Sequence, residues 1–361
     1  MILCFRISAQ SVSLPDKGIW VRPESDYTYA TIQLDDMKRA GFTDVFVETF
    51  YHGFAIFPSE IVPIRPEMNN KDMLHFYLTE AKKRGMKLHC WIETYYWEVD
   101  TTQYPQFPKT TLFDDHPEWR AILRDRNTTE KAEFAHIFAN PAHPGVQKLL
   151  VDFIREIIMK YPLDGINLDY LRYPSGPPDA GYDDYTTAEY KKLKGLDPRT
   201  IPVDPDNMDW REWVEFREDQ VLALTRKIKD TKDAIKKEVI LSAAIFPGAP
   251  ENRYKDAHFQ NWRKMDYLDV IIPMVYSPTL KGIEEGIMNV QRFIPTGSNI
   301  KLMPVLAIRR KNIDAYSGAY HPLMIDQMKI IEKLNLPGFS VFCYSWMMDS
   351  EEGLNLFKPG K

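Results

Sequence analysis

Eight short apolar runs, separated by longer helical patterns, constrain the fold of this chain more than any other feature. The runs are GIWVR (18–22), DVFVE (44–48), KLHCWIE (87–93), GINLD (165–169), VILSAA (239–244), VIIPMVY (270–276), KLMPVLAI (301–308) and FSVFCY (339–344). Helical patterns between them include 71–84, 146–160, 210–229 and 322–334. Such alternation builds parallel sheets through crossover helices. Eight units predict an α/β fold, a (β/α)8 TIM barrel, rather than a doubly wound sheet, which usually has fewer strands.

The barrel is expected to span residues 18–361 as a single catalytic domain, after an N-terminal extension of residues 1–17. The longest interruption of the alternation, 175–209, is rich in Pro, Gly, Asp and Tyr. It follows the fourth strand, so we predict an enlarged loop that rises over that strand's carboxyl end as a lid or subsite wall. The first ten residues are briefly apolar without a basic leader. They are either the remnant of a secretion signal or a first strand, so the sequence does not decide the cellular compartment of the protein.

Composition argues against several partners and cofactors. The 361 residues carry 46 basic and 51 acidic side chains without a basic stripe, so nucleic acid is not expected as a partner. No apolar run approaches the ~18 residues of a membrane span. No G-x-G-x-x-G motif follows a strand, which removes the main support for a dinucleotide cofactor. The three cysteines lack paired spacing and the histidines are too scattered for zinc, so no metal is expected either.

Alternation along each strand predicts which side chains line the barrel interior. Residues two apart face the same way, and those at the carboxyl end of a barrel strand border the active-site mouth. On the fourth strand, Ile166 and Leu168 face the helices, so Asn167 and Asp169 face the interior. The same rule turns the following side chains inward: Trp20, Arg22, Phe46, Glu48, His89, Trp91, Glu93, Met274, Tyr276, Phe342, Tyr344 and Trp346.

Three of these residues, Glu48, Glu93 and Asp169, are acids that end otherwise apolar strands. Burial and like-charge proximity would push their pKa values apart, so that one carboxyl stays protonated while its neighbour stays ionised. Two carboxyls flanking a bond, beside rings that stack on sugars, are typical of glycoside hydrolysis. We expect Asp169 to be the nucleophile or the ionised stabiliser of the transition state. Glu93 is expected to be the general acid/base, with Glu48 as its substitute.

Other inward residues are candidates for binding a carbohydrate substrate, by orienting polar groups or by stacking on sugar rings. They are Arg22, His89, Trp91, Asn167, Tyr276, Tyr344 and Trp346. Structural roles stay open for some of them. Glu48 has the alternative of an ion pair with Arg22 or Arg172. His89 could instead be a histidine of the barrel core, and Trp91 could instead fill the barrel one layer below the rim.

Motifs spread along the chain are similar to those of a known family. They are GIWVRPE (18–24), FAIFPS (54–59), KLHCW (87–91), HPEW (116–119), NPAHPGV (140–146), LDGINLDYLRYP (163–174), LSAAIFP (241–247) and DVIIPMVY (269–276). The chain resembles the glycosyl hydrolase-like 10 family of (β/α)8 proteins over residues 18 to 346, and the fourth-strand motif is the most specific. The resemblance implies Asp169 as a principal active-site carboxylate, surrounded by Arg172, Tyr173 and Tyr276.

The sequence also departs from related patterns. Where the family tends to carry Gln, Arg and Asn, this chain has Glu48, Phe50 and Glu93, which implies a subgroup with its own substrate. A weaker likeness to family 18 chitinases lacks the general acid of that pattern, because Leu171 and Arg172 occupy its region. We therefore expect a glycoside hydrolase that does not use the chitinase acid. The alternative is a carbohydrate-binding barrel that has lost its chemistry. The oligomeric state stays open.

Overall fold

The computed structural model describes residues 17–174, 180–248, 254, 267–308, 321–349 and 353–357. The expected extension therefore lies outside the described residues, apart from Lys17, which begins the first strand. The strands are β1 (Lys17–Val21), β2 (Asp44–Tyr51), β3 (Phe54–Ala55), β4 (Lys87–Glu93), β5 (Tyr96–Val99), β6 (His136–Phe138), β7 (Gly165–Asp169), β8 (Ile240–Ile245), β9 (Val270–Pro273), β10 (Lys301–Leu302), β11 (Val305–Ala307) and β12 (Phe339–Phe342).

The main sheet is parallel, apart from the two-residue strand β3 that pairs antiparallel with β2, and it closes on itself. Its order is β10, β9, β8, β7, β4, β2, β1, β12, β11. β10 pairs with β9 and β11 pairs with β12, and these two short strands are halves of a single run. Between them, the Met303 amide donates to Ile271 O at 2.9 Å, and Pro304 O accepts from the Ser340 amide at 2.9 Å. The run thus fills the gap between β9 and β12, which confirms the predicted (β/α)8 barrel.

Helices surround the sheet. They are α1 (Tyr27–Arg39), α2 (Met73–Lys83), α3 (Leu112–Asp115), α4 (Pro144–Lys160), α5 (Asp184–Lys194), α6 (Met208–Ile235), α7 (Leu280–Gln291), α8 (His321–Lys333) and α9 (Tyr344–Met348). Side chains cap several of them, as the Asp26 carboxylate does for α1 by accepting from the amides of Thr28 and Tyr29. None of the helices within the described ranges combines the length and apolar character of a membrane span.

Side-chain alternation divides the apolar residues into two clusters, as predicted. The outer cluster, between sheet and helices, includes Ile19, Val45, Val47, Leu88, Ile166 and Leu168. The inner cluster includes Trp20, Phe46, Trp91, Ile272 and Met303. The indole of Trp20 stacks on Phe46 at 4.8 Å and meets Trp91 edge-on at 5.0 Å. The barrel interior is therefore packed with rings, so a ligand can enter only above them.

Two long connections follow β4 and β7. The described part of the one after β7 contains α5, which packs on α6 with Tyr190 edge-on to Trp213 at 4.9 Å, and the role of this connection as a lid or subsite wall stays a prediction. The longest connection is residues 94–143, between β4 and α4, which we call the β4–α4 insertion. It contains the antiparallel pair β5–β6 and lies beside the mouth. Sequence periodicity did not reveal it, because its elements are short.

Candidate active site

Three neighbouring strands bring Glu48, Glu93 and Asp169 to the mouth of the barrel. Glu93 and Asp169 are paired in register at the ends of β4 and β7. Glu48 lies on β2, directly before a bulge in its pairing with β4. The exposed fractions of the three residues are 1%, 2% and 9%, so the acids are almost completely removed from water. Carboxyls in such an environment resist ionisation.

Glu48 and Glu93 are buried carboxyls that lie close enough for each to affect the pKa of the other. Burial raises the pKa of Glu93 well above its usual range, and the nearby charge of Glu48 raises it further. Burial also raises the pKa of Glu48, but the Arg22 and Arg65 guanidiniums oppose that shift, and Arg22 Nε lies 3.2 Å from Glu48 Oε2. The cations favour a charge on Glu48, so we place the shared proton on Glu93.

Asp169 is held by two directed hydrogen bonds. Its Oδ2 accepts from Trp91 Nε1 at 3.1 Å, and its Oδ1 accepts from the Tyr170 amide at 2.7 Å. Burial raises the pKa of Asp169 to about 6, while the two hydrogen bonds and the Arg172 guanidinium limit the shift. Asp169 is therefore mostly ionised at neutral pH, in contrast to Glu93 on the adjacent strand.

Loop residues that alternation did not single out complete the mouth. The amide of His52, which follows β2 with φ +50°, donates to Glu93 Oε2 at 3.1 Å. Burial lowers the pKa of the His52 side chain to about 2, so its ring is neutral. Arg65 is buried, lies over the Tyr51 ring at 4.1 Å and contributes positive charge toward Glu48. Strand periodicity gives no signal for such residues.

Arg172 forms a buried ion pair with Glu133 of the β4–α4 insertion. Its Nη1 and Nη2 each donate to one Glu133 carboxylate oxygen at 2.8 Å. The same guanidinium lies over the rings of Tyr170, at 4.9 Å, and Phe246, at 4.8 Å. The paired planar geometry fixes Arg172 behind Asp169 and ties the insertion to the barrel. The alternative pairing of Arg172 with Glu48 is wrong, because Glu48 pairs with Arg22.

Aromatic side chains occupy the opposite side of the mouth. The Phe342 ring lies 5.9 Å from Tyr276 and 5.1 Å from Trp346, both of which are half-buried. The Phe342 ring also approaches Trp91 at 6.0 Å. Tyr276 thus packs on the inner cluster, on the side that alternation predicted. Trp346 also packs there, but it lies on α9, so strand alternation does not account for its position.

Four predicted binding residues do not reach the mouth, namely His89, Asn167, Tyr173 and Tyr344. His89 lies below Trp91, in register with Gly165, and its Nε2 contacts Asp44 Oδ1 at 3.0 Å, so the core alternative holds. Asn167 is in the layer of Trp91 and donates to Ser242 Oγ at 3.0 Å. 

Tyr173 and Tyr344 lie outside the barrel interior. Tyr173 is fully buried in the outer cluster. The expectation that Tyr344 turns inward is wrong, because the chain leaves the strand after Phe342 and Tyr344 begins α9. The Tyr344 hydroxyl donates to Asp36 Oδ2 on α1 at 2.9 Å.

Two pockets of the described surface are shallow and are not lined by these acids. One, of about 370 Å³, lies between α5 and α6, and the other, of about 440 Å³, lies between α4 and α6. Neither contains the convergent acids, so we locate the candidate site at the mouth. No group of three or more His, Cys, Asp or Glu side chains in the described ranges has an arrangement suited to a metal ion.

Residues 12–294 match the glycosyl hydrolase-like 10 family. The chain belongs to this family. Among curated relatives, glycosyl hydrolase DigH of Escherichia coli K12 is 25% identical over 324 residues, covering 75% of this chain and 67% of DigH. This family membership supports a carbohydrate-active function.

Solved structures place this family member among the folds of glycoside hydrolases. The glycoside hydrolase domain of PgaB from Bordetella bronchiseptica is similar with a TM-score of 0.70 and 12% identity, covering 95% of this chain and 98% of that domain. Alpha-L-fucosidase isoenzyme 2 from Paenibacillus thiaminolyticus has a TM-score of 0.66 and 15% identity, covering 96% of this chain and 48% of that chain. At such identities the likeness concerns the fold alone.

Proposed function

We propose that this protein is a glycoside hydrolase that cleaves an O-glycosidic bond of an oligo- or polysaccharide at the barrel mouth. One observation carries the proposal: adjacent strands hold two buried carboxyls, Glu93 and Asp169, in register at the mouth. Their surroundings differ, because burial and the charge of Glu48 raise the pKa of Glu93 well above its usual range, whereas hydrogen bonds and Arg172 limit the rise of the Asp169 pKa to about 6. Glycoside hydrolysis needs such a pair, because one group must give a proton to the leaving oxygen while the other faces developing positive charge.

The roles follow from the surroundings of each acid. Glu93 donates its proton to the leaving-group oxygen and is backed by Glu48, whose charge Arg22 balances. Asp169 is the nucleophile or the anion that stabilises the oxocarbenium-like transition state. Trp91 and the Tyr170 amide fix its orientation. Tyr276 and Trp346 offer stacking surfaces for the sugar across the mouth.

A panel of defined glycans, with product analysis by mass spectrometry, tests the proposal. On a substrate so identified, Asp169→Asn and Glu93→Gln each lower the rate on the order of 10² to 10⁴-fold. Glu98→Gln is the matched control for Glu93→Gln. Glu98 is also a buried glutamate whose pKa is raised by burial, but it lies on β5, where Arg120 is the main opposing charge. Full turnover by Asp169→Asn would refute the assignment.

The same panel separates hydrolysis from simple binding. A barrel that only binds carbohydrate would retain saturable oligosaccharide binding in Asp169→Asn, and the wild-type protein would release no new reducing ends over long incubation. That result would replace the hydrolase proposal with a binding function.

A further inference from the structure

Phe134 stands out on the surface of the β4–α4 insertion. Its side chain is 85% exposed, more than any other large hydrophobic side chain in the described part of the chain. Its backbone has φ +43°, in the left-handed region that bulky residues rarely adopt. The position thus combines two local costs, apolar exposure and backbone strain, without a packing gain. Such combinations concentrate at functional sites.

Hydrogen bonds hold the turn that presents Phe134. The buried Thr129 hydroxyl donates to His136 O at 2.9 Å and accepts from the Phe138 amide at 2.8 Å. Across the turn, the His136 amide donates to Glu133 O at 2.7 Å. Glu133 itself is fixed by Arg172, as described above. The outward orientation of Phe134 therefore belongs to a supported turn rather than to a loose loop.

A row of rings connects Phe134 to the acids. The Phe134 ring lies 6.3 Å from His136, and His136 stacks on Tyr96 at 4.0 Å with an interplanar angle of 28°. Tyr96 in turn lies 5.0 Å from Tyr170, whose amide binds Asp169. Ring contacts thus connect the exposed Phe134, through half-buried His136 and buried Tyr96, to Tyr170 beside Asp169.

We propose that Phe134 is the platform of a distal carbohydrate subsite, where a sugar unit remote from the cleaved bond stacks its C–H face on the ring. The inference rests on the proposed function, because it takes its ligand from the neighbouring acids. Aromatic faces outside the core are suited to sugar rings, whose axial C–H groups form an apolar surface. The subsite favours longer oligosaccharides, since a short one at the acids does not extend to it.

Isothermal titration calorimetry tests the platform with wild type and variants, each also carrying Asp169→Asn so that the probe is bound but not cleaved during the titration. The probes are β-1,4-linked oligomers of glucose, N-acetylglucosamine, mannose and xylose, each as dimer and hexamer. For the hexamer that wild type binds, Phe134→Ala raises Kd on the order of 10-fold, and the dimer of the same sugar is unaffected. Phe134→Tyr keeps the ring and retains binding. Tyr29→Ala, which removes another aromatic side chain that is 63% exposed, on α1, is the control and changes nothing.

The outcomes separate this inference from the proposed function. If wild type binds a hexamer and Phe134→Ala binds it equally well, the platform is refuted while the hydrolase proposal stands. Equal weakening of dimer and hexamer would also refute a distal position. If wild type binds no hexamer of the panel, the platform is refuted for these sugars, whereas the hydrolase proposal is decided separately by product analysis with the panel of defined glycans.

Discussion

Replacing Asp169 with asparagine should change how stability depends on pH. The pKa of Asp169 rises from 3.8 to about 6 on folding, because burial outweighs its hydrogen bonds. An acid with a raised folded pKa holds its proton longer in the folded state, so ionising it costs stability as pH rises from the unfolded to the folded pKa. The shift of roughly two units corresponds to about 3 kcal/mol, lost progressively between about pH 4 and pH 6. Asn carries no charge and escapes this loss.

Urea unfolding, followed by tryptophan fluorescence across this pH range, measures the effect. The difference in unfolding free energy, Asp169→Asn minus wild type, should rise by about 3 kcal/mol from about pH 4 to pH 7 and then level off. The asparagine side chain has one acceptor oxygen, so it cannot accept from both Trp91 Nε1 and the backbone amide of Tyr170. Its NH2 group would face one of these two donors. That penalty lowers the whole difference curve without altering its slope, because it does not titrate.

Asp184→Asn provides a control of opposite sign. Asp184 is exposed on α5, and a hydrogen bond from Arg126 lowers its pKa. Its difference curve should fall slightly as pH rises, because ionised Asp184 favours the folded state. A flat or falling curve for Asp169→Asn would refute the argument that burial raises the pKa of Asp169.

Two further predictions concern the surroundings of the site. Glu133→Gln leaves the buried Arg172 charge without its partner, which should destabilise the protein by about 3–5 kcal/mol and move the acid limb of the pH–rate profile, set by Asp169, below about pH 6. Thermal unfolding and rate profiles check both effects, and an unmoved limb would contradict the coupling. Gly165→Ala would place a Cβ 2.2 Å from His89 Nδ1, so the variant should lose about 1–3 kcal/mol of unfolding free energy, measured by urea unfolding. A variant as stable as wild type would show that the His89 ring moves freely.

The sequence predicted the parts of the site that obey strand alternation. Asp169 and Glu93 end buried strands, and Glu48 precedes the bulge of β2, which runs on to Tyr51, beyond the expected strand end. The barrel geometry turns every second side chain inward, so the common facing of the three acids follows from parity. Parity says nothing about height along the barrel axis. His89 and Asn167 have the correct facing but lie below the rim, because the register of β4 and β7 sets their level.

Residues outside regular strands were beyond this reasoning. Tyr344 continued the apolar alternation of the eighth run, but the chain begins a helix there and the period changes. His52 and Glu133 reach the mouth from turns with irregular backbone, which leave no periodic trace. Their placement depends on tertiary contacts such as the Glu133–Arg172 ion pair. The length of the β4–α4 insertion was also hidden, because its strands are only three and four residues long.

The uneven distribution of side chains around the mouth has a consequence for ligand orientation. The acids and cations come from β1, β2, β4 and β7, whereas Phe342, Tyr276 and Trp346 come from the β9 and β12 side. A pyranose is itself two-faced, with hydroxyls along its edge and hydrocarbon on its flat side. A pyranose that enters the cleft would lower its free energy by turning its flat side to the rings. Its edge, with the linking oxygen, would then face the carboxyls before any specific contact forms.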